Sequence, residues 1–309
     1  MSDQSDGCRA ERVGAGGAPS WAPAVGFGLF IVGYVGTLGY VSGTDSADRL
    51  DGVVQFDMWV ALLSALGGFA VVAAMFFVLW LVRAVRLGDQ VRRSTVASWI
   101  AVVLLIQATV FAGLFAGASG AEASIDKDLA IDTRPITVVV GLCMAPGLVA
   151  FLALRSIAAD DAHWGESERC RVRLVMAARA ELRRLLATFG AFLTLLVITT
   201  GMRRRALLAF DPELPVPPEQ VLLYGLLFAV LLGAFYGLAT TAIDARANRM
   251  LDEFAPLPGP TDPSLSEQLQ RRGDIATLVG SGGSWRSFET TVVIAAPLLT
   301  ALIGIATSA

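Results

Sequence analysis

The chain has 309 residues, of which 55% are hydrophobic and 17% charged, and its mean hydropathy is +0.63. This composition places the chain in the membrane class and excludes an ordinary soluble globular protein. The net charge of −3 provides no excess of basic side chains for a phosphate backbone, so we expect no nucleic-acid partner.

Seven uncharged, mostly apolar stretches follow one another along the chain. They hold 19, 25, 27, 20, 18, 24 and 20 residues, and about 20 residues of α-helix cross the ~30 Å hydrocarbon core of a bilayer. The sequence therefore predicts an all-α polytopic transmembrane bundle of about seven membrane-spanning helices surrounded by lipid. The stretches are Ala24–Ser42, Met58–Val82, Thr95–Ala121, Pro135–Leu154, Leu185–Met202, Gln220–Ile243 and Thr290–Ala309.

The distribution of basic residues predicts the orientation. With the N-terminus in the cytoplasm, the inner segments carry 18 Lys and Arg residues and the outer segments carry 6. Basic residues mark cytoplasmic segments, so we expect a cell-membrane protein with a cytoplasmic N-terminus. The run Arg203–Arg205 is an exception, because it lies on the predicted outer side. Cys8 and Cys170 fall in predicted cytoplasmic segments, where thiols stay reduced, so no disulfide is expected.

The predicted organisation alternates membrane and cytoplasmic parts. The arginine-rich extension should join the fifth span as one helix of about 36 residues. Asp262, Pro263 and Glu267 form a helix-start signal, and that helix should end near Val279. Four prolines should keep Arg203–Glu219 extended. The parts are a disordered cytoplasmic tail (1–22), transmembrane helices one to four (23–158), the cytoplasmic arginine-rich helical extension (159–184), transmembrane helices five and six (185–243), a cytoplasmic Pro-rich linker with a short helix (244–289) and transmembrane helix seven (290–309).

Two of the cytoplasmic segments are candidates for contacts outside the chain. Arg169–Arg184 is rich in arginine, and Asp244–Glu289 is the longest polar segment. Either segment could contact a protein partner or anionic lipid headgroups, and the sequence leaves both alternatives open.

Glycine spacing indicates close helix packing. Small residues four apart let helix backbones approach within a membrane, and such pairs occur at Gly113 and Gly117 and at Gly233 and Gly237. Packing within the chain is the first interpretation, and a homo-oligomer interface is the alternative. The first span has glycines on two faces, so we expect it to be sandwiched between neighbouring helices. These glycines are Gly26, Gly33 and Gly36 on one face and Gly28 and Gly39 on the other.

Polar residues at two positions are candidate helix contacts or pore residues. Gln107 is the only carboxamide in the interior of a span, and an unpaired amide in hydrocarbon is costly. Asp244 follows the sixth span and should pair with Arg83, Arg86 or Arg155 at the same membrane boundary. Gly233, Gly237 and Asp244 lie along one helical stripe, which runs toward the cytoplasm.

Prolines interrupt the fourth and seventh spans. Pro146 and Pro297 lie in similar surroundings, Thr137–Pro146 and Thr291–Pro297. Inverted repeats with proline-broken helices are typical of transporters. The chain could thus consist of one leading helix followed by two inverted three-helix repeats.

The sequence predicts a non-enzymatic accessory or interaction component of the membrane. His163 is the only histidine and lies on the predicted cytoplasmic side, away from Ser119 in the one serine-protease-like motif. A nucleophile needs a base within hydrogen-bond reach, so we expect no catalytic residue, and also no cofactor and no metal. The alternative is a small-solute facilitator or channel with a neutral lining. Its path would involve Gln107, Pro146, Pro297 and the stripe from Gly233 to Asp244.

Overall fold

A computed structural model describes residues 22–43, 54–87, 99–105, 108, 134–159, 168–210, 212, 218–256, 265–279 and 284–306. These ranges are helical apart from a few turn and end residues, and they contain no strand. Predictions about residues 1–21, about Gln107, and about Gly113 and Gly117 lie outside the described residues.

The helices are separated by short links or by undescribed segments. A further helical segment covers residues 99–105. The helices are α1 (Ala22–Ser42), α2 (Val54–Leu87), α3 (Arg134–Ala159), α4 (Glu168–Phe210), α5 (Glu219–Phe254), α6 (Leu265–Val279) and α7 (Ser284–Ala306).

Five of the described helices are long and apolar enough to cross a membrane. Each contains a window of high hydropathy with few charges, and α7 contributes the shorter apolar segment Thr290–Gly304. Large apolar side chains remain exposed on the outside of the bundle, for example Val32 at 67% and Val230 at 61%. Such a surface suits contact with lipid chains. The candidate spans are Pro23–Ser42, Val54–Val82, Gly141–Ala159, Cys170–Phe210 and Glu219–Phe254.

Helix α4 has 43 residues, so it is about 64 Å long at ~1.5 Å per residue. It continues without interruption from the arginine-rich extension into the fifth apolar stretch, which confirms the expected continuous helix. It also runs through Arg203–Arg205 to Phe210, so the prediction of an extended Arg203–Glu219 is wrong for residues 203–210. The first proline of that segment is Pro212, and a proline restricts the residue before it but not the turns further upstream.

Helix α4 is at the centre of the described bundle and packs against α2, α3, α5 and α7. Its Phe189 ring lies 5.9 Å from Phe77 of α2 and 6.0 Å from Phe151 of α3, in edge-on arrangements. Phe192 stacks on Phe69 at 6.2 Å. Phe77, Phe151, Phe189 and Phe192 are at most 2% exposed. These rings fix α2, α3 and α4 at one depth.

The N-terminal part of α4, the C-terminal part of α5 and helix α6 lie together at one end of the bundle. Arg171 near the start of α4 contacts Glu253 near the end of α5, so these helices are antiparallel. We call this end, comprising residues 168–184, residues 244–254 and α6, the polar end. Helix α6 contacts both α4 and α5 there, and its end at Val279 agrees with the predicted end.

Helix α3 also ends near the polar end. Residues 160–167 can span at most about 31 Å. The contact between Phe151 and Phe189 places these two residues at the same depth. If α3 ran parallel to α4, Ala159 would lie beyond this depth and Glu168 before it, so the two residues would be about 44 Å apart along the bundle axis. The short link therefore requires α3 to be antiparallel to α4.

Helix α7 runs beside α4 in the same direction. A Cβ at Gly190 would lie 2.7 Å from Val293 Cγ1, and Arg205 reaches the carbonyl of Gly304. Both helices therefore proceed away from the polar end, so α7 extends along about 22 Å of α4, from Gly190 to Arg205.

Helix α1 lies at the edge of the described bundle, and its main packing partner among the described helices is α2. Gly33 meets Gly67 and Gly68 there, where an added Cβ would lie 2.7 Å from the Gly67 carbonyl oxygen. The expected sandwich is not seen within the described part of the chain, where no atom lies within 4 Å of a Cβ position at the other four glycines of α1, and it stays a prediction. These are Gly26, Gly28, Gly36 and Gly39.

Candidate functional site

Asp244 forms an ion pair between α5 and α4. Its Oδ1 accepts a hydrogen bond from Arg179 Nη2 at 2.5 Å, and the Arg179 side chain is only 13% exposed. The expected partners were Arg83, Arg86 or Arg155, whereas the partner that the structure shows is Arg179; the side chains of Arg83 and Arg86 are outside the described part of the chain. Those arginines were selected by membrane depth, whereas the rotation of α5 about its axis directs Asp244 toward α4. The long arginine side chain covers the difference in depth.

A second ion pair ties the start of α4 to the end of α5. Arg171 Nη1 donates to Glu253 Oε2, and the Arg171 guanidinium carbon lies 5.5 Å from the centre of the Phe254 ring. A guanidinium over an aromatic face gains from the ring quadrupole. Arg171 therefore holds two consecutive side chains of α5.

Arg272 attaches α6 to the end of α5. Its Nη2 donates to Asp252 Oδ1 at 2.7 Å, and its Nη1 donates to the carbonyl oxygen of Ala255 at 3.2 Å. The last carbonyls of a helix lack helical partners and carry partial negative charge. A guanidinium in this position satisfies one of them and fixes the turn where α5 ends.

The polar end has an apolar interior beneath these ion pairs. Its buried residues come from all three helices and are each at most 9% exposed. The parts of α4 and α5 beyond the apolar stretches are therefore packed helices that support α6. Among these buried residues are Val175, Leu182, Ala247, Met250 and Ile275.

Other side chains of the polar end are directed outward. Arg173 and Arg183 are exposed and have no carboxylate partner among the described residues. Arg184 pairs with Glu181 on its own helix at 2.8 Å and is 67% exposed. Met176 and Leu269 are 47% and 50% exposed. The inward arginines are thus used for assembly, and this outer surface combines positive charge with isolated apolar side chains.

The glycine pair of α5 makes little direct packing contact. A Cβ at Gly233 would lie 3.4 Å from Ile294 of α7, which is ordinary contact, and no described atom lies within 4 Å of the corresponding position at Gly237. Closer approaches occur at Gly190 and Gly225. A Cβ at Gly225 would lie 2.8 Å from Ala301 Cβ. The GxxxG rule identified the right helix, but the helix rotation places other glycines in the contact.

The two prolines lie inside continuous helices, so the predicted interruptions at Pro146 and Pro297 are not breaks. Gly147, next to Pro146, is covered by aromatic rings, because a Cβ there would lie 2.8 Å from ring carbons of both Phe189 and Phe77. The carbonyl oxygen of Pro297 would lie 2.9 Å from a Cβ at Gly225. Both prolines therefore accompany close helix contacts, and neighbouring helices support the backbone where a proline removes a hydrogen bond.

The run Arg203–Arg205 lies at the opposite end from the polar end. Arg205 Nη2 donates to the carbonyl oxygen of Gly304 at 3.3 Å, near the C-terminus of α7. A cation is stabilised by the partial negative charge of a helix C-terminus. This contact gives a structural reason for an arginine on the predicted outer side.

Several candidate residues remain untested or depart from expectation. Gln107 and the glycine pair of the third apolar stretch lie outside the described residues, and the repeat hypothesis stays a prediction. Cys170 is buried and disulfide-bonded, with a partner outside the described residues, whereas Cys143 is free. The expectation of no disulfide is therefore wrong for Cys170.

The described residues contain no group of three or more His, Cys, Asp or Glu side chains that could hold a metal ion. No family model, no curated protein and no solved structure matches the chain.

Proposed function

We propose that the protein is a seven-span, non-enzymatic cell-membrane protein that acts as an interaction component through its polar end, with that end and the N-terminus in the cytoplasm. The observation that carries this proposal is the packed polar end itself. Helices α4 and α5 extend beyond their apolar stretches and are joined by Arg179–Asp244 and Arg171–Glu253. Helices serving only to cross the bilayer would not need this extension.

The directions of the described helices support seven spans. Phe77 and Phe69 of α2 contact Phe189 and Phe192 of α4, with the later residue of α2 beside the earlier residue of α4. Helix α2 therefore ends on the side of the polar end, whereas α3 begins on the opposite side. A crossing between Leu87 and Arg134 would connect these two sides, and this interval contains the uncharged stretch Thr95–Ala121.

The contact points that we propose for a protein partner are the exposed apolar side chains Met176 and Leu269. Each is about half exposed outside the apolar stretches, where burial against a partner would remove apolar surface from water. A photo-crosslinking amino acid at either position should give protein adducts in cells. The same amino acid at Leu223, which is 62% exposed within the sixth apolar stretch, should give lipid adducts. Absence of defined protein adducts at both polar-end positions would contradict the proposal.

The alternative of a small-solute facilitator is favoured by two buried hydroxyl groups. Ser64 Oγ and Thr240 Oγ1 have no hydrogen-bond partner among the described residues, and such groups are costly unless hydrated. Against it, Thr194, Thr199 and Thr200 of α4 all donate to carbonyl oxygens of their own helix. Pro146 and Pro297 lie at packed contacts, so they do not support a path.

A further inference from the structure

Three exposed arginines lie at the boundary between the apolar stretches and the polar end. Arg155 directly follows the stretch that ends at Leu154, and Arg183 and Arg184 directly precede the stretch that begins at Leu185. All three side chains are exposed. They come from the neighbouring helices α3 and α4, which contact each other.

The three arginines share one depth. The Phe151 and Phe189 rings, 6.0 Å apart, give a common reference level for α3 and α4. Arg155 is four residues beyond Phe151, and Arg184 is five residues before Phe189. In antiparallel helices these positions lie about 6 and 8 Å from the reference level in the same direction.

Three carboxylates of the polar end form ion pairs with other arginines. Asp244, Asp252 and Glu253 pair with Arg179, Arg272 and Arg171. Glu181 pairs with Arg184. It is a single carboxylate, whereas three guanidinium groups lie at this depth. This level of the described surface is therefore net positive.

Positively charged side chains at the end of the hydrocarbon region lie at the depth of the lipid phosphate groups. Guanidinium groups bind phosphate oxygens through paired, charge-assisted hydrogen bonds. Zwitterionic lipids carry a cationic group beside the phosphate, whereas anionic lipids leave the negative charge uncompensated, so basic residues at the membrane surface select the anionic ones. We propose that Arg155, Arg183 and Arg184 form a binding site for the phosphate groups of anionic phospholipids. This inference needs the helices to lie in a membrane, but not the proposed protein partner.

The test uses the full-length protein in mild detergent and measures thermal unfolding during titration with phosphatidylglycerol. Phosphatidylglycerol should raise the midpoint temperature in a saturable way. Each single substitution should increase the half-saturating lipid concentration about five-fold. The substitutions are Arg155→Gln, Arg183→Gln and Arg184→Gln. Phosphatidylcholine and inorganic phosphate should not reproduce the saturable effect.

The control variant is Arg173→Gln, because Arg173 is an exposed arginine of the same helix about 15 Å further from the boundary. It should keep the wild-type lipid titration. Three results would overturn the proposal: equal stabilisation by phosphatidylcholine, equal stabilisation by inorganic phosphate alone, or an Arg173→Gln effect as large as that of Arg183→Gln. A failed crosslinking experiment at Met176 would leave this result unaffected.

Discussion

Arg179 of α4 and Asp244 of α5 are 65 residues apart in the sequence and are joined by a 2.5 Å hydrogen bond. The pair lies where both helices leave their apolar stretches, and the arginine is mostly buried while half of the carboxylate remains exposed. It therefore fixes the angle and depth at which the polar end is attached to the bundle. Asp244 is a structural link in this arrangement.

Replacing Asp244 should destabilise the attachment of α5 to α4. Asp244→Asn removes the negative charge that accepts a hydrogen bond from the mostly buried Arg179, so we expect the free energy of unfolding to fall by about 1–2 kcal/mol. The measurement is reversible denaturant unfolding in detergent micelles. Glu181→Gln is the matched control, since Glu181 pairs within one helix with an exposed arginine and should change stability by less than about 0.5 kcal/mol. Equal losses in both variants would contradict this role of the pair.

Gly147 and Gly237 should respond in opposite ways to an added methyl group. Gly147→Ala would place Cβ 2.8 Å from the rings of Phe77 and Phe189, so we expect a loss of about 1–3 kcal/mol from overpacking. No described atom lies within 4 Å of the Cβ position at Gly237. Gly237→Ala should therefore be neutral or stabilise by up to about 1 kcal/mol through helix propensity. Thermal unfolding of the two variants checks this, and a larger loss at Gly237 would instead indicate an interface there.

Arg205 should restrain the C-terminal turn of α7. Arg205→Gln removes the hydrogen bond to the carbonyl oxygen of Gly304, which is worth about 1 kcal/mol, so local opening should become about five-fold more frequent. Hydrogen–deuterium exchange of the peptides at the end of α7 measures this change. Exchange at the polar end should stay at the wild-type rate. Unchanged exchange at the end of α7 would show that Arg205 does not hold it.

The orientation can be tested at three points of the chain. Reporters at the N-terminus and within residues 257–264 should lie in the cytoplasm, and a C-terminal reporter should lie outside. Cys170 is disulfide-bonded, and such bonds persist in oxidising compartments, which favours the reverse orientation. We expect the arginine distribution to decide, because these charges act during insertion. An N-terminal reporter found outside would refute the scheme.

Gln107 separates the proposed function from the facilitator alternative. In a facilitator, Gln107→Leu should abolish solute flux into proteoliposomes. In an interaction component, the wild-type protein itself should give no flux above empty liposomes, and the substitution should change only stability. Saturable flux in the wild-type protein that Gln107→Leu removes would favour the alternative.

Features that depend on neighbouring residues could be predicted from the sequence, whereas features that depend on contacts between distant residues could not. The continuous helix α4 and the end of α6 at Val279 follow from local properties, namely helix formers without a proline and a glycine-rich stop. The end of α4 at Phe210 was missed because the effect of Pro212 was extended too far upstream. The partner of Asp244 and the contact glycines Gly147 and Gly225 depend on helix rotation. An arginine 65 residues away has no local sequence signal.

The amino-acid sequence by itself determined that the chain forms long apolar helices that could span a membrane, because the length and apolarity of each stretch are local properties. The sequence could not select which faces of the helices meet. Only the tertiary structure decided that the inward arginines of α4 bind the carboxylates of α5 while Arg155, Arg183 and Arg184 stay exposed. The physical reason is that a pairing depends on helix rotation and depth together, and these are set by packing of the whole bundle around Phe77, Phe151 and Phe189.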